Sequence, residues 1–222
     1  MYKLEIACFN LESALITAKS AADRIEFCSD LLAGGTTPKI EDIKILKEHS
    51  SQAIRIMIRP RGGNFCYSKD EFEEMKSAIK TIKALDVEGF VFGILNSDQT
   101  IDIKRNKELV DLAYPYPCAF HRAFDRTQNL NESLEQIIYL GFKTLLTSGM
   151  SQNVDSGITR LKELVRLANN RIEIMPGGGL RSTNISKIKI ETNATYYHSS
   201  ALLNNSEIAN LEEINRLKKL IN

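Results

Sequence analysis

The regular exchange of two hydrophobic periods constrains this chain most. Short β-branched or aromatic runs, bounded by turn residues, alternate with stretches of helical spacing, and they do so eight times. The strand-like runs are 2–8, 24–28, 54–59, 89–95, 118–124, 144–149, 171–175 and 196–200. Helical patterns cover 11–22, 40–49, 72–85, 103–113, 132–140, 154–168, 183–190 and 207–221. Thr37 is expected to cap the second helix with Pro38 as its first residue. Ser68 and Glu71 form a capping box before the third. Strict alternation of strand and helix demands parallel strands joined by right-handed crossovers. Eight such units in 222 residues predict a single α/β domain over 1–222, a (β/α)8 TIM barrel. The alternative is an open doubly wound sheet, which wants a glycine-rich turn after its first strand. That turn here is Cys8-Phe9-Asn10-Leu11, so dinucleotide binding finds no support.

Charge narrows the partners. Lys and Arg total 29 against 28 for Asp and Glu, without the basic excess of a nucleic-acid binder. No apolar run is long enough to span a bilayer. The first residues, Met1 to Ile6, have strand character and lack the apolar core and cleavage site of a signal peptide. A cytoplasmic location is therefore expected, with neither nucleic acid nor membrane as partner. Cys8, Cys28, Cys66 and Cys118 form no CxxC pair and should be free thiols in a reducing compartment.

A barrel strand turns one face to the helices and the other to the lumen. By this parity Leu4, Ile6, Ile25, Phe27, Ile54, Ile56 and Ile58 face the helices. Glu5, Ala7, Glu26, Cys28, Arg55, Met57 and Arg59 then point inward. The fifth strand sends His121, Ala123 and Asp125 to the same side. Glu5, Glu26, His121 and Asp125 are the candidate acid–base groups, since buried charges must pair or bind something. A purely structural ion network is the other outcome of such a lumen.

The loops after the strands carry the ligand candidates. In Arg59-Pro60-Arg61-Gly62-Gly63, two arginine forks suit phosphate or carboxylate, and the glycines let the backbone approach it. Gly177-Gly178-Gly179 follows the seventh strand, where barrels often bind phosphate. Ser148 and His198 end the sixth and eighth strands and could add donors. The loop from Leu31 to Pro38 needs no role beyond leading into a helix. Cys8 and Cys28 end adjacent strands, and paired thiolates would suit Cu(I). Parity opposes the pair, because Cys28 points inward and Cys8 toward the helices. Cys66 lies on the same rim, and Cys118 belongs to the opposite end.

Taken together, these motifs resemble the CutC family, the copper homeostasis proteins, from about Leu4 to Ala201. The residues that carry the resemblance are Ala22 to Cys28, Gly34 to Pro38, Ile58 to Gly63, Phe120 to Asp125, Leu146 to Gly149, Gly177 to Gly179 and His198 to Ala201. The resemblance implies a cytoplasmic TIM barrel, a homodimer or higher homo-oligomer, and a role in copper handling. It also implies copper ligands at the ends of the first two strands. Cys28 matches the second, while Cys8 stands one residue beyond the inward Ala7 at the first. Asn64 and Pro176 depart from the family pattern. Two functional expectations follow: a copper-binding homeostasis protein, or a barrel enzyme acting on a small phosphorylated or carboxylated substrate.

Overall fold

Parity sorts the strand side chains as expected through the first three strands. In the computed structural model, which describes residues 2–222, β1 (Lys3–Cys8), β2 (Arg24–Phe27) and β3 (Ala53–Met57) turn their isoleucines and Phe27 into one continuous apolar layer. Helices α1 (Leu11–Ala18), α2 (Ile40–His49) and α3 (Lys69–Lys83) bury against that layer. The pattern continues through β4 (Gly89–Phe92), α4 (Ile103–Ala113), β5 (Cys118–Phe120), α5 (Leu130–Leu140), β6 (Thr144–Thr147) and α6 (Ile158–Ala168). It ends with β7 (Glu173–Pro176), α7 (Ile185–Thr192), β8 (Tyr196–Ser199) and α8 (Leu211–Ile221). Phe142 meets Phe92 and Phe120 edge-on, both at 5.2 Å between ring centroids. Burying each such ring stabilises the layer by roughly 1.5–3 kcal/mol.

All strands are parallel and run in the order β7-β6-β5-β4-β3-β2-β1-β8. The remaining gap, between β7 and β8, is joined by a bridge between Gly177 and His198. Leu146, Met175 and Tyr196 pack together beneath this seam. The barrel of eight parallel strands is thus the predicted fold, and the open sheet is excluded. Among the described residues no helix is long and apolar enough to cross a membrane.

Three local expectations are corrected. Thr37 does not cap α2, which starts after Lys39 without a side-chain cap. The Thr37 hydroxyl instead accepts from the Arg59 amide at 2.8 Å, tying this loop to the end of β3. The fifth strand stops at Phe120, and Arg122–Arg126 coil into a 3-10 turn. That turn buries Ala123 among the helices, so neither Ala123 nor Asp125 keeps the inward position that strand parity gives it. The last three helices begin later than their hydrophobic patterns suggest, after long loops at the strand ends. The Ser68–Glu71 capping box is present as predicted.

Gly177 sits where the seam is tightest. A Cβ there would collide with Leu146 Cδ1 and stand 3.0 Å from His198 Cβ. Gly177→Ala is expected to destabilise the barrel by about 1–3 kcal/mol in urea unfolding, the usual effect of overpacking. Adding Leu146→Ala should recover part of that loss relative to Leu146→Ala alone. Equal stability of wild type and Gly177→Ala would show that the seam has room to spare.

Candidate functional site

The lumen is polar from its floor to its mouth, and each layer holds the next. At the floor Arg55 donates to the Thr144 hydroxyl at 3.0 Å, and Thr144 donates to Glu173 at 3.1 Å. The Arg24 guanidinium stacks on the Tyr196 ring at 4.1 Å from its centroid. Arg24 Nε also pairs with Glu5, whose side chain is fully buried. The other Glu5 oxygen lies 2.7 Å from His198 Nδ1.

Glu5 therefore fixes the imidazole, and His198 Nε2 is left facing Glu26 Oε2 at 3.8 Å. Burial alone would push Glu5 up, but Arg24 and His198 outweigh it and hold its carboxyl well below the usual range. Burial pushes Glu26 up. His198 is raised because the charge of Glu26 and its bond to Glu5 overcome its own burial. Glu26 and His198 are thus both shifted toward their protonated forms, while Glu5 behind them favours the anion.

Above this layer a cavity of about 270 Å³ opens at the C-terminal ends of the strands. Glu26, Arg59, Phe65 and His121 line it together with Arg122, Gly178, Gly179, Arg181, His198 and Ser200. Arg59 donates to the carbonyls of Ala33 and Gly35 at 2.8 and 2.9 Å, and its guanidinium lies over the Phe65 ring. Tyr67 packs beside that guanidinium. Phe65 also packs against the His121 ring, with centroids 4.8 Å apart. His121 Nδ1 accepts from the Ala123 amide at 3.3 Å, so the proton of the neutral ring belongs on Nε2. Burial first, and the Arg59 charge second, push His121 down to about 3. Gly93 makes room for the ring: a Cβ there would stand 2.9 Å from His121 Nδ1.

The predicted site residues divide. Glu26, Arg59, His121, Gly178, Gly179 and His198 line one cavity, with Glu5 directly beneath. Gly177 belongs to the seam. Asp125 and Ser148 are drawn aside by the 3-10 turn: Asp125 accepts from the amides of Ser148 and Met150 and from Arg122 Nε at 2.8 Å. Arg61 turns away to Glu71 and the Cys66 carbonyl, and it keeps Asn64 as a partner at 3.0 Å. Cys66 lines a separate cavity with Asn96 and Arg126.

The two candidate copper thiols are not assembled into a pair. Cys8 lies in the outer apolar layer, its sulfur 3.2 Å from the Thr17 hydroxyl. Cys28 lies in the lumen among Met57, Val91 and Ala119, its sulfur 3.6 Å from Glu26 Oε2. Burial pushes the Cys8 thiol up to about 12, and burial with the nearby Glu26 raises Cys28 well above its ordinary value. Cys118 is buried at the floor end, as its position implied.

Sequence reasoning missed Arg24, Phe65, Arg122 and Arg181. Arg24 shares the face of Glu26 by the same period of two and was legible there. Arg181 stands two residues after the glycine loop. Arg122 was hidden, because a continued strand would have turned it toward the helices.

This architecture defines a class: a parallel (β/α)8 barrel with a charged mouth at the strand C-termini, where such barrels build their sites. The chain belongs to the CutC family, whose model matches residues 2–203. It is 40% identical over 200 residues to the mouse protein named copper homeostasis protein cutC homolog, covering 90% of this chain and 74% of that one. A CutC family protein of Photorhabdus laumondii is 42% identical over 201 residues, covering 90% and 80%. The crystal structure of a putative copper homeostasis protein CutC from Streptococcus agalactiae superposes with a TM-score of 0.86 at 35% identity, covering 90% of this chain and 99% of that one. Phosphoribosylanthranilate isomerase from Thermotoga maritima shares the fold alone, with a TM-score of 0.64 at 14% identity over 100% and 98% of the two chains.

The neutral His121 has a consequence for stability. An unfolded chain protonates this histidine as pH falls through 6.5, whereas the fold resists protonation down to about 3. The unfolded state binds more protons in that window, so stability falls with falling pH. Between pH 6.5 and pH 5 the loss amounts to about 2 kcal/mol. His121→Asn should therefore lose less stability than wild type between pH 7 and pH 5 in urea unfolding. Parallel losses would mean that His121 titrates normally.

Proposed function

We propose that the barrel mouth binds one small anionic molecule and moves a proton on it. Glu26 and His198 serve as the acid–base pair, Glu5 orients His198 from behind, and His121 donates a hydrogen bond. A pair of orphaned buried atoms carries this reading. Glu26 Oε1 and His121 Nε2 belong to residues lining the same cavity, and neither has a hydrogen-bond partner among the described residues; Arg59 Nε, from a third lining residue, is likewise unpartnered there. A buried polar atom without a partner costs roughly 1–3 kcal/mol, so a ligand offering one donor and one acceptor would recover both. Arg59 and Arg181 supply positive charge at the same mouth.

Copper handling, which the names of the relatives carry, is the second reading. What favours it is the closeness of donor atoms from Glu5, Glu26 and His198, all within 4.8 Å of one another. Glu5 is already engaged by Arg24 and by His198 Nδ1. A copper ion would therefore take His198 Nε2 and Glu26, with Glu5 holding the imidazole from the second layer. Imidazole and carboxylate suit Cu(II) better than Cu(I), which prefers thiolates.

Two measurements on the same protein decide between these readings. A thermal-shift screen of small phosphates and carboxylates should yield compounds that raise the wild-type midpoint by several degrees, and Glu26→Gln or His121→Asn should abolish the gain. In anaerobic Cu(I) titration against a competing chelator, wild type and Cys28→Ser should bind equally weakly. Tight Cu(I) binding lost in Cys28→Ser would overturn the anionic-ligand reading. Tight Cu(II) binding lost in His198→Ala, with no hit in the screen, would establish the copper reading instead.

A further inference from the structure

We infer that the mouth has a dedicated phosphoryl subsite on its β7–β8 side, formed by Arg122, Arg181, Gly178, Gly179 and Ser200. The inference rests on the anionic-ligand reading and extends it to a substrate class, a phosphate monoester. Sequence motifs pointed to Arg59 and Arg61 as the anion anchors, but Arg61 leaves the cavity, and Arg59, although it lines the mouth, has both terminal nitrogens bonded to backbone carbonyls. Arg61 pairs with Glu71 outside the cavity. Arg59 spends its Nη1 on the Ala33 and Gly35 carbonyls and turns Nη2 to the Gly63 carbonyl at 3.4 Å.

The opposite wall is prepared differently. Arg122 is held from behind: Nε donates to Asp125 at 2.8 Å and Nη2 to the Ser148 hydroxyl at 2.9 Å. Asp125 is fixed in turn by Thr147 Oγ1 and the Met150 amide. Arg122 Nη1 finds no acceptor among the described residues and lies over Gly178, where a Cβ would stand 2.9 Å from it. Asp125, expected as an acid–base group, is on this geometry a positioning residue for Arg122.

Arg181 is clipped to the other rim by the Leu180 and Leu202 carbonyls, at 2.7 and 3.1 Å, and by the Ser200 hydroxyl at 3.3 Å. All its partners are neutral, and among the described residues no carboxylate pairs with it or with Arg59. Half-buried among these neutral oxygens, Arg181 keeps its charge available to an anionic ligand. Arg122 and Arg181 thus bring two guanidinium groups to one mouth, which suits a doubly charged anion. Gly178 and Gly179, with φ of +108° and +77°, carry the chain between the two arginines without side chains. The Gly179 amide has no acceptor among the described residues, so it is free to donate. Guanidinium forks and open glycine amides are the elements that recognise a tetrahedral oxyanion, and in barrels they gather after the last two strands.

Inorganic phosphate is the probe, followed by calorimetry and by 31P line broadening on the intact protein. Phosphate should bind wild type and compete with any phosphorylated compound from the screen, while acetate at equal concentration should not. Arg122→Gln and Arg181→Gln should each weaken phosphate binding about tenfold, the loss of one charge-assisted hydrogen bond. Arg216→Gln, on the exposed side of α8, should leave it unchanged. The Arg122 side chain is 41% exposed, so its variant tests the subsite even if Arg181→Gln fails to fold. Phosphate affinity indifferent to both arginines, no phosphate binding at all, or acetate binding equally well would overturn the subsite. Arginine-dependent phosphate binding in a protein whose compound binding ignores Glu26→Gln would uphold the subsite and overturn the acid–base reading.

Discussion

The Glu5 carboxylate, buried between Arg24 and His198, is the interaction on which the rest of the lumen depends. A carboxylate so far from water persists as an anion only if cations and donors surround it. Arg24 supplies the charge from the floor, and the His198 imidazole supplies a donor from the eighth strand. This ties β1 to β8 and β2 at one level, next to the seam that completes the barrel. The same contact sets the imidazole plane, which sets the distance from Nε2 to Glu26. Removing Glu5 would leave the buried Arg24 charge without its carboxylate and free the imidazole together. Structural and chemical roles therefore cannot be separated at this residue.

Above that layer the charge balance changes sign. Glu26 and His198, a carboxylate and an imidazole both shifted toward their protonated forms, add no excess of negative charge. Arg122 is matched by Asp125. Arg59 and Arg181 remain, on opposite walls, each bonded to neutral oxygens. A mouth where guanidinium groups surround a carboxylate and an imidazole differs from a soft-metal site, where thiolates or thioethers crowd together. Here burial first, and the Glu26 carboxyl beside it second, raise the Cys28 thiol well above its ordinary value. The donor atoms gathered in this lumen are nitrogen and oxygen from His198, Glu5 and Glu26 rather than a pair of thiols.

What was legible in the sequence follows from which local rules the fold obeys. Alternation of periods predicted eight parallel strands because a buried parallel sheet must be apolar on its helix side, and no ligand is needed to enforce that. Parity placed Glu5, Glu26, Arg55 and Arg59 in the lumen because β1, β2 and β3 are regular to their ends. It separated Cys8 from Cys28 for the same reason. Parity failed at Phe120, where the chain leaves the sheet and coils. Nothing in Phe120-His121-Arg122-Ala123-Phe124-Asp125 announces that break, since its alternation suits a strand equally well. The competing influence is tertiary: Asp125 collects donors from the end of β6, and Ala123 and Phe124 fill the layer beneath the helices. Thr37 failed similarly, its hydroxyl taken by Arg59 rather than by the helix it precedes.

The seam and the site are connected by the same glycines. Closing β7 against β8 requires Gly177, because Leu146 and His198 occupy the space a side chain would need. The two residues after it turn the chain through backbone conformations that side chains disfavour, directly between Arg122 and Arg181. The stretch that completes the barrel thus also exposes main-chain donors at its mouth. A barrel has to close somewhere, and closing it with glycine leaves few side chains to block the approach of a ligand. Phosphate sites after the last two strands then follow from closure geometry as much as from chemistry. In this chain the arginines on either side convert that geometric opening into a charged one.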